Sequence, residues 1–545
     1  MQNTVELFTA QNGMMSARVV LPNKTIRHIH SVVDPSIESK FFDRLEFWGE
    51  VIVFAGIGLG YHLTKKIKAI PSSSTLVVIE YFDELAILAK TGIFRGLSNA
   101  ITYLCADSGP DAIDSLAHDV NSTNRMQIVK HPASFDVNKP FYTTVLSRLC
   151  KDKSFFQAIN PTKPGSAILL FGNHFLEEEV RGALCETGME TIVFRYNDHR
   201  FGVDFENAFS RCIQQSGASF ILSINMKGMD GNGAFSEITQ RFSIPVFVWF
   251  VDDPRPILLH KRQFITATMI ALTWEKAYIG FLETQGFKKV RFLPLASDPA
   301  LFLRSTPARP GISLGFVGSA MVDEYAGGVK GKFLWQDSLA PLAELVAEKI
   351  LADPRYSIDN NVLALAKGLG VQLPFSDEVN LTWLRTYCIH LASMIKRKRT
   401  IEGLLDLGIE TFGDPEGWKR LFGADITTHP NINYRTGLCE TYRKICVNAN
   451  ITSCQMPSSV NQRVFDIPLS GSFVISDNQK DLLEFFDHNT ELAIFETIED
   501  LRDKARFYLT HETDRYKIID AAQKRIKREH LYVHRMRRII ELVEQ

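Results

Sequence analysis

The chain has 545 residues, 45% apolar and 23% charged, so it is ordered and globular and too long for one hydrophobic core, with roughly two to four domains expected. Its 61 basic and 62 acidic residues leave a formal net charge of -1, which excludes a global field for nucleic acid or anionic membrane and makes any anion site local. Eight scattered cysteines, none in a C-x-x-C pair, exclude a zinc ribbon or finger and read as reduced thiols.

The opening "MQNTVELFTAQNGMMSARVV" lacks a basic segment followed by an apolar one, so no signal peptide is expected. No window approaches the roughly 18 uninterrupted apolar residues of a membrane span. A cytoplasmic protein is the expectation.

Short β-rich runs then alternate with amphipathic stretches, the pattern of α/β architecture with parallel sheets. "EVIVFAGIGLGYHL" gives a strand over Val51–Ala55 and a glycine-rich turn of Gly56, Gly58 and Gly60. A second strand ends at Glu80 and a third, "AITYLCAD", at Asp107, which together open a Rossmann-like sheet. A linker follows at Ile159–Ser166. The next α/β series has "AILLFG" leading to His174, then "ETIVFRYND", "ASFILSINMKG", and "IPVFVWFVDDPRP" ending at Asp252 and Asp253. After the Pro/Gly break Arg304–Gly311 comes the strand "ISLGFVGSAM", then a mostly helical stretch from about Phe333 to Leu407. "KICVNANITS" leads to "VNQRVFDIPLSGSFVISD", and a charged helical tail, Ile498–Gln545, closes the chain.

In open α/β sheets ligands bind beyond the carboxyl ends of strands, so the chemistry is sought there. "VFDIPL" can form a helical turn on which Arg463 and Asp466 lie three apart, with Asn461 nearby. A guanidinium beside a helix start suits a diphosphate, and a carboxylate in the same turn can accept from a sugar diol. The plain alternative is a solvated i, i+3 ion pair. Asp252 and Asp253 could orient an acceptor hydroxyl or act as base, or could simply cap the turn before Pro254. His174 is a second acceptor-side candidate, with a structural role as its alternative. The cluster Lys396–Arg399 could meet phosphates, but a solvated helix face fits it better. His530 and His534 are spaced to share a metal, yet no third ligand accompanies them, so packing is the better account and no metal is expected.

The motifs "IPVFVWFVDDP", "LPLASDP", "LGFVGS", "FGDPEGW", "VNQRVFDIPLSGSFVISD" and "HLYVHRM", in that chain order, resemble the CgeB-type (spore maturation protein-like) glycosyltransferases over roughly residues 165 to 545. That family is similar to transferases of the GT-B fold, two Rossmann-like domains about a cleft. The resemblance implies transfer of a sugar from a nucleotide-sugar donor to a protein or surface-glycan acceptor, such as flagellin or a spore glycan, with no permanently bound cofactor. It places donor contacts at Gly318, Asn461, Arg463, Asp466 and Gly471. In related enzymes two acids separated by seven residues contact the donor. Here Asp466 matches the second position, but the first is Ser458.

The front region, with Gly56, Gly58, Gly60 and Glu80, resembles the cofactor loop of class I methyltransferases and equally the Rossmann-like domain of Maf-type flagellin-modification proteins. Either the glycines and Glu80 hold S-adenosylmethionine, or the domain binds nothing and serves docking. The expected layout is therefore an additional Rossmann-like domain over residues 1–160, GT-B lobes over 161–305 and 306–515, and a returning helix over 516–545. Two other functions stay open, a methyltransferase working through the front domain and a non-enzymatic spore or flagellum assembly factor.

Overall fold

The computed structural model describes residues 3–120, 126–149, 165–304, 310–322, 336–353, 358–373, 376–488 and 490–544. Most of the linker expected at 159–166, and residues 305–309 of the second break, lie outside that set.

Thr4–Thr9 (β1), Met15–Val20 (β2) and Ile26–His28 (β3) form an antiparallel sheet that sequence reading did not pick out. Val51–Ala55 (β4), Thr75–Ile79 (β5), Ile101–Leu104 (β6) and Met126–Lys130 (β7) then pair in parallel in the order β6-β5-β4-β7. Every residue of β4 is buried, as its unbroken apolar run requires of a strand covered on both faces.

Ser166–Phe171 (β8), Glu190–Arg195 (β9), Phe220–Ile224 (β10), Val246–Phe250 (β11), Met269–Thr273 (β12) and Lys289–Phe292 (β13) make a sheet of order β13-β12-β11-β10-β8-β9. The third large sheet is parallel throughout. Its strands are Ile312–Val317 (β14), Ile409–Phe412 (β15), Thr427–His429 (β16), Ile445–Asn450 (β17), Val474–Asp477 (β18) and Ala493–Phe495 (β19), in the order β16-β15-β14-β17-β18-β19. The chain leaves β14 toward one edge and returns to its other side at β17, the doubly wound order that opens a crevice at the carboxyl ends of those two strands. The chain is thus mixed α/β with parallel, Rossmann-like sheets.

Among the described residues the expected helical stretch contains three α-helices, Gln336–Ala352, Ile358–Gly368 and Glu378–Glu402, inserted between β14 and β15 around a core that includes Leu342, Val346, Leu384 and Cys388. The last helix, Tyr532–Glu544, meets the segment after β13: Ser297 N donates to His530 O, Tyr532 N donates to Ser297 O, and Arg535 donates to Leu295 O. No helix among the described residues is long and apolar enough to cross a membrane.

By contact density the chain divides into two units. The first is Met1–His174, Met189–Leu222 and Lys227–Val246; the second is Phe175–Gly188, Ser223–Met226 and Phe247–Gln545. The first contains the antiparallel sheet and the β6-β5-β4-β7 sheet, and the second contains the whole β14–β19 sheet.

Candidate functional site

The crevice at the ends of β14 and β17 is built from four short pieces of chain. β14 runs out into Gly318, and a Cβ there would lie 2.9 Å from Arg463 Nη2 and 3.0 Å from the Phe316 ring. Only glycine lets the guanidinium come this close to the strand end. Arg463 begins the helix Arg463–Leu469, and its Cζ stands 5.4 Å from the centre of the Phe316 ring. Its Nη1 donates to Asn450 Oδ1 at 3.3 Å, the last residue of β17. Asn461 Nδ2 donates to the same oxygen at 3.0 Å, and Asn461 Oδ1 accepts from Arg463 N at 3.0 Å. Asn450 is held in turn by donating to Ser476 Oγ at 3.0 Å.

Every one of these partners is neutral. Among the described residues no carboxylate lies within ion-pair distance of the half-buried Arg463 guanidinium. Asp466 acts on it only through space, so a cation so placed can accept an anion in the crevice.

A second guanidinium reaches the same strand end. Arg397, buried on the inserted helix Glu378–Glu402, donates to Ser319 O at 2.8 Å and stands 5.6 Å from the Phe316 ring centre. Its neighbour Lys396 donates to Asp477 Oδ2 at 2.6 Å and to Thr452 O at 3.3 Å. Burial works against the Lys396 charge, but Asp477 more than offsets it and holds the ammonium above its usual range. The solvated face expected for Lys396–Arg399 is therefore corrected for its first half. Only Lys398 and Arg399 face solvent, Arg399 pairing with Glu348 at 2.6 Å.

Asp466 does not join Arg463. It is wholly buried and accepts from Ser297 Oγ at 2.6 Å. Burial first, then the neighbouring Asp298 and Glu179 charges, push its carboxyl well above the usual carboxylate range. The two side chains, three apart on the helix, serve different neighbours, one the crevice and the other the segment after β13. Gly471 is likewise buried, at φ 80°, and closes the helix by donating to Pro468 O at 2.9 Å, a backbone role.

On the other large sheet, Asp253 caps the helix Pro254–Leu258 through Arg255 N at 3.0 Å, and its carboxylate also takes the Arg255 guanidinium at 2.8 to 3.1 Å. That buried pairing is the capping role, not a base poised for an acceptor. Asp252 is exposed at the end of β11 and accepts from Asn225 Nδ2 at 2.7 Å. Asn225 and Met226 sit in the left-handed region at φ 53° and 54°, backbone strain that no sequence signal announced. His174 is exposed beyond β8, its ring stacked 6.5 Å from that of Tyr196.

The front sheet has the same switch point, between β4 and β7, but its crevice is filled by the protein. Glu80 is buried; its Oε2 accepts from Ile57 N at 2.7 Å and Gly58 N at 3.0 Å, and its Oε1 from the Tyr142 hydroxyl at 3.0 Å. A Cβ at Gly56, Gly58 or Gly60 would come within 2.5 to 2.8 Å of Ser134, His30 or Ile93, so these glycines clear room for the chain itself. The reading of Glu80 as a ribose acceptor for S-adenosylmethionine is corrected: its oxygens already satisfy the loop that would have held the cofactor.

Beside it lie His30, Glu38 and His131, whose potential ligand atoms fall within 4.8 Å of one another. Glu38 sits 2.8 Å from His30 Nδ1 and 3.2 Å from His131 Nε2. His30 Nε2 accepts from Leu59 N at 2.7 Å, so its proton rests on Nδ1 and points at Glu38. A metal on that nitrogen would have to displace the proton while the other lone pair stayed in use, so the group fits a structural network better than an ion. Burial alone would raise Glu38, but hydrogen bonds from His131 and His30 outweigh it and hold its carboxyl down at about 2. In the tail, His530 Nε2 donates to Phe485 O and His534 Nδ1 accepts from Leu531 N, so the two serve packing separately.

Residues 391–541 match the family model described as "Glycosyl transferase-like". The chain thus carries a glycosyltransferase-like domain over this span. The matched span begins on the helix that bears Arg397 and includes Asn450, Asn461 and Arg463. No curated protein matches the chain. Among solved structures, it is similar to a sucrose-phosphate synthase from Thermosynechococcus elongatus at 11% identity and TM-score 0.42, over 70% of this chain and 98% of that one. Anabaena Alr3699/HepE in complex with UDP matches at 10% identity and TM-score 0.39, over 70% and 99%. T4 phage BGT in complex with UDP and Mn2+ matches at 10% identity and TM-score 0.42, over 70% and 100%. None of these likenesses is close enough to carry a residue or a ligand across.

Proposed function

We propose that this protein is a glycosyltransferase of the CgeB-like kind that takes a sugar from a nucleotide-sugar donor and passes it to a protein or surface-glycan acceptor in the cytoplasm. The observation that carries the reading is Arg463, a half-buried cation with only neutral partners, at the switch point of a doubly wound sheet inside the glycosyltransferase-like span. A diphosphate supplies the charge that this crevice lacks, and Arg397 brings a second guanidinium to the same strand end.

In this reading the donor contacts are Gly318, Asn461, Arg463 and Arg397. Gly318 admits the phosphates to the backbone, and the guanidinium groups stabilise the charge that grows on the departing diphosphate. Asp252 is the acceptor-side candidate, since its exposed carboxylate is oriented by Asn225 and Asp253 is committed to Arg255. The lobes of the transferase are residues 161–305 and 306–515. The front domain then serves docking, its own crevice being occupied.

Calorimetric titration with UDP, GDP, TDP and CMP sugars tests this. At least one donor should bind the wild-type protein and lose affinity in Arg463→Ala. Equal affinities in both proteins, or no binding by either, would sink the assignment.

A further inference from the structure

The loop that delivers Arg463 is long and has no regular structure. Twelve positions separate the end of β17 at Asn450 from the start of the helix at Arg463, so something outside the loop must fix its path. Its fastening comes from the end of β12. Glu275 is wholly buried, and its carboxylate gathers four donors: Ser458 N at 2.9 Å, Ser459 N at 2.8 Å, Ser458 Oγ at 2.7 Å and Ala277 N at 2.8 Å. Among the described residues no lysine or arginine pairs with it. Three backbone N–H groups and one hydroxyl make up its whole neutralisation, and three of the four donors belong to Ser458 and Ser459. From the far side Asp481 takes the same serine, donating its N–H to Ser458 O at 2.9 Å and lying 3.1 Å from Ser458 Oγ. A second tie from the turn after β12, the Tyr278 hydroxyl on Gln455 O at 2.7 Å, holds the loop three residues earlier.

This arrangement explains why position 458 is a serine. An acid there would set a second carboxylate against buried Glu275, with Asp481 close by, and like charges that close do not both ionise. The serine hydroxyl instead donates to the carboxylate that arrives from another strand. Resting on the nucleotide-sugar reading, we infer that Glu275 is a positioning residue for donor binding: it fixes the Ser458–Ser459 turn and so sets where Asn461 and Arg463 stand against Gly318. It touches no substrate, and its effect on the donor passes mainly through Arg463 and in smaller part through Asn461.

The test is UDP affinity by calorimetry, with thermal melting in parallel, for the wild type, Glu275→Gln, Ser458→Ala, Arg463→Ala and the double variant Glu275→Gln/Arg463→Ala. The glutamine keeps the shape of the side chain but turns an amide N–H2 toward backbone donors. It should weaken UDP binding by about tenfold, and Ser458→Ala, which removes only the hydroxyl contact, by about threefold. In the Arg463→Ala background Glu275→Gln should cost less than about threefold, since the main group through which it acts is gone and only the Asn461 contact is left to lose. A merely structural role predicts the opposite, equal losses in both backgrounds and a fall in melting temperature that tracks them. UDP affinity within twofold of wild type in Glu275→Gln overturns the inference. If Glu275→Gln does not fold, Ser458→Ala decides it, and unchanged affinity there overturns it as well. A wild-type protein that binds none of UDP, GDP, TDP and CMP overturns the donor reading itself, which is a different outcome from a wild type that binds one of them and a variant that binds it equally; where the nucleotide bound is not UDP, the same comparison is made with that nucleotide.

Discussion

The front sheet and the last sheet share one topology around their first strand, yet their crevices hold opposite contents. In front, at the ends of β4 and β7, Glu80 and Glu38 with His30, His62 and His131 fill the space, and the Ile57, Gly58 and Leu59 N–H groups have internal acceptors. At the ends of β14 and β17 the fillers are two guanidinium groups and neutral amides, and the Arg463 charge has no acid within ion-pair distance among the described residues. Two switch points of the same order need not be two ligand sites. What separates them is whether the protein's own side chains have already satisfied the backbone donors and balanced the charge there.

The contrast can be broken from either side. The largest effect is expected from Arg463→Ala, which should cut nucleoside-diphosphate affinity by about a hundredfold, as loss of a charge-assisted contact implies, while leaving the melting temperature unchanged. Isothermal titration checks both crevices at once, because no titration with S-adenosylmethionine should register heat on the front one. Next is Glu80→Ala. It strands the Ile57 and Gly58 amides and the Tyr142 hydroxyl and should cost about 3 kcal/mol of front-domain stability in denaturant unfolding, with donor affinity unaltered. A front domain as stable as before would mean that the crevice is not held by that carboxylate.

Arg397→Lys is expected to weaken donor binding by about tenfold, since an ammonium keeps the charge but loses the guanidinium's contact over the Phe316 ring and its hydrogen bond to Ser319 O. Asp253→Asn, by contrast, should lower stability by about 1 kcal/mol through its cap and its Arg255 pair while sparing donor affinity, whereas Asp252→Asn should slow turnover without touching that affinity.

The gentlest test is acid. Glu38 lies at about 2, below its ordinary 4.5, so the stability it lends is complete above about pH 4.5 and fades as pH falls toward 2. His30 is lowered by burial from 6.5, and His62, stacked on His131, is lowered well below that value, chiefly by burial. Both favour the folded domain while neutral, so their contribution is present above pH 6.5 and fades below it. All three act in the same direction, and melting curves between pH 7 and pH 3 should show the front domain losing stability on acidification. Glu38→Gln should flatten the part of that loss below about pH 4.5.

Much of the fold was legible because parallel strands buried on both faces are written as continuous apolar runs. "VIVFA", "AILLF" and "VFVWF" could hardly be anything else, and the glycines after β4 and β14 mark strand ends where the backbone turns. The antiparallel β1–β3 sheet was missed because its strands are short and half-exposed. The site was legible only in part. Arg463 and Asn461 stood out beside a predicted turn, but Asp466 three residues on read as their partner, when its burial sends it to Ser297 instead. Arg397 was hidden in a run of four basic residues on a 25-residue helix, where the first two turn inward and the last two face solvent. Glu275 gave no signal at all, because its partners are 183 and 184 positions away.

The amino-acid sequence by itself determined the alternation of strand and helix, the balance of charge, and which glycines end which strands, because those depend on local sterics and on the period of apolar burial. The tertiary structure alone decided which acid meets which base, and therefore which crevice is filled and which stays electropositive. Desolvation and pairing act between side chains brought together from distant parts of the chain, and no local pattern records them.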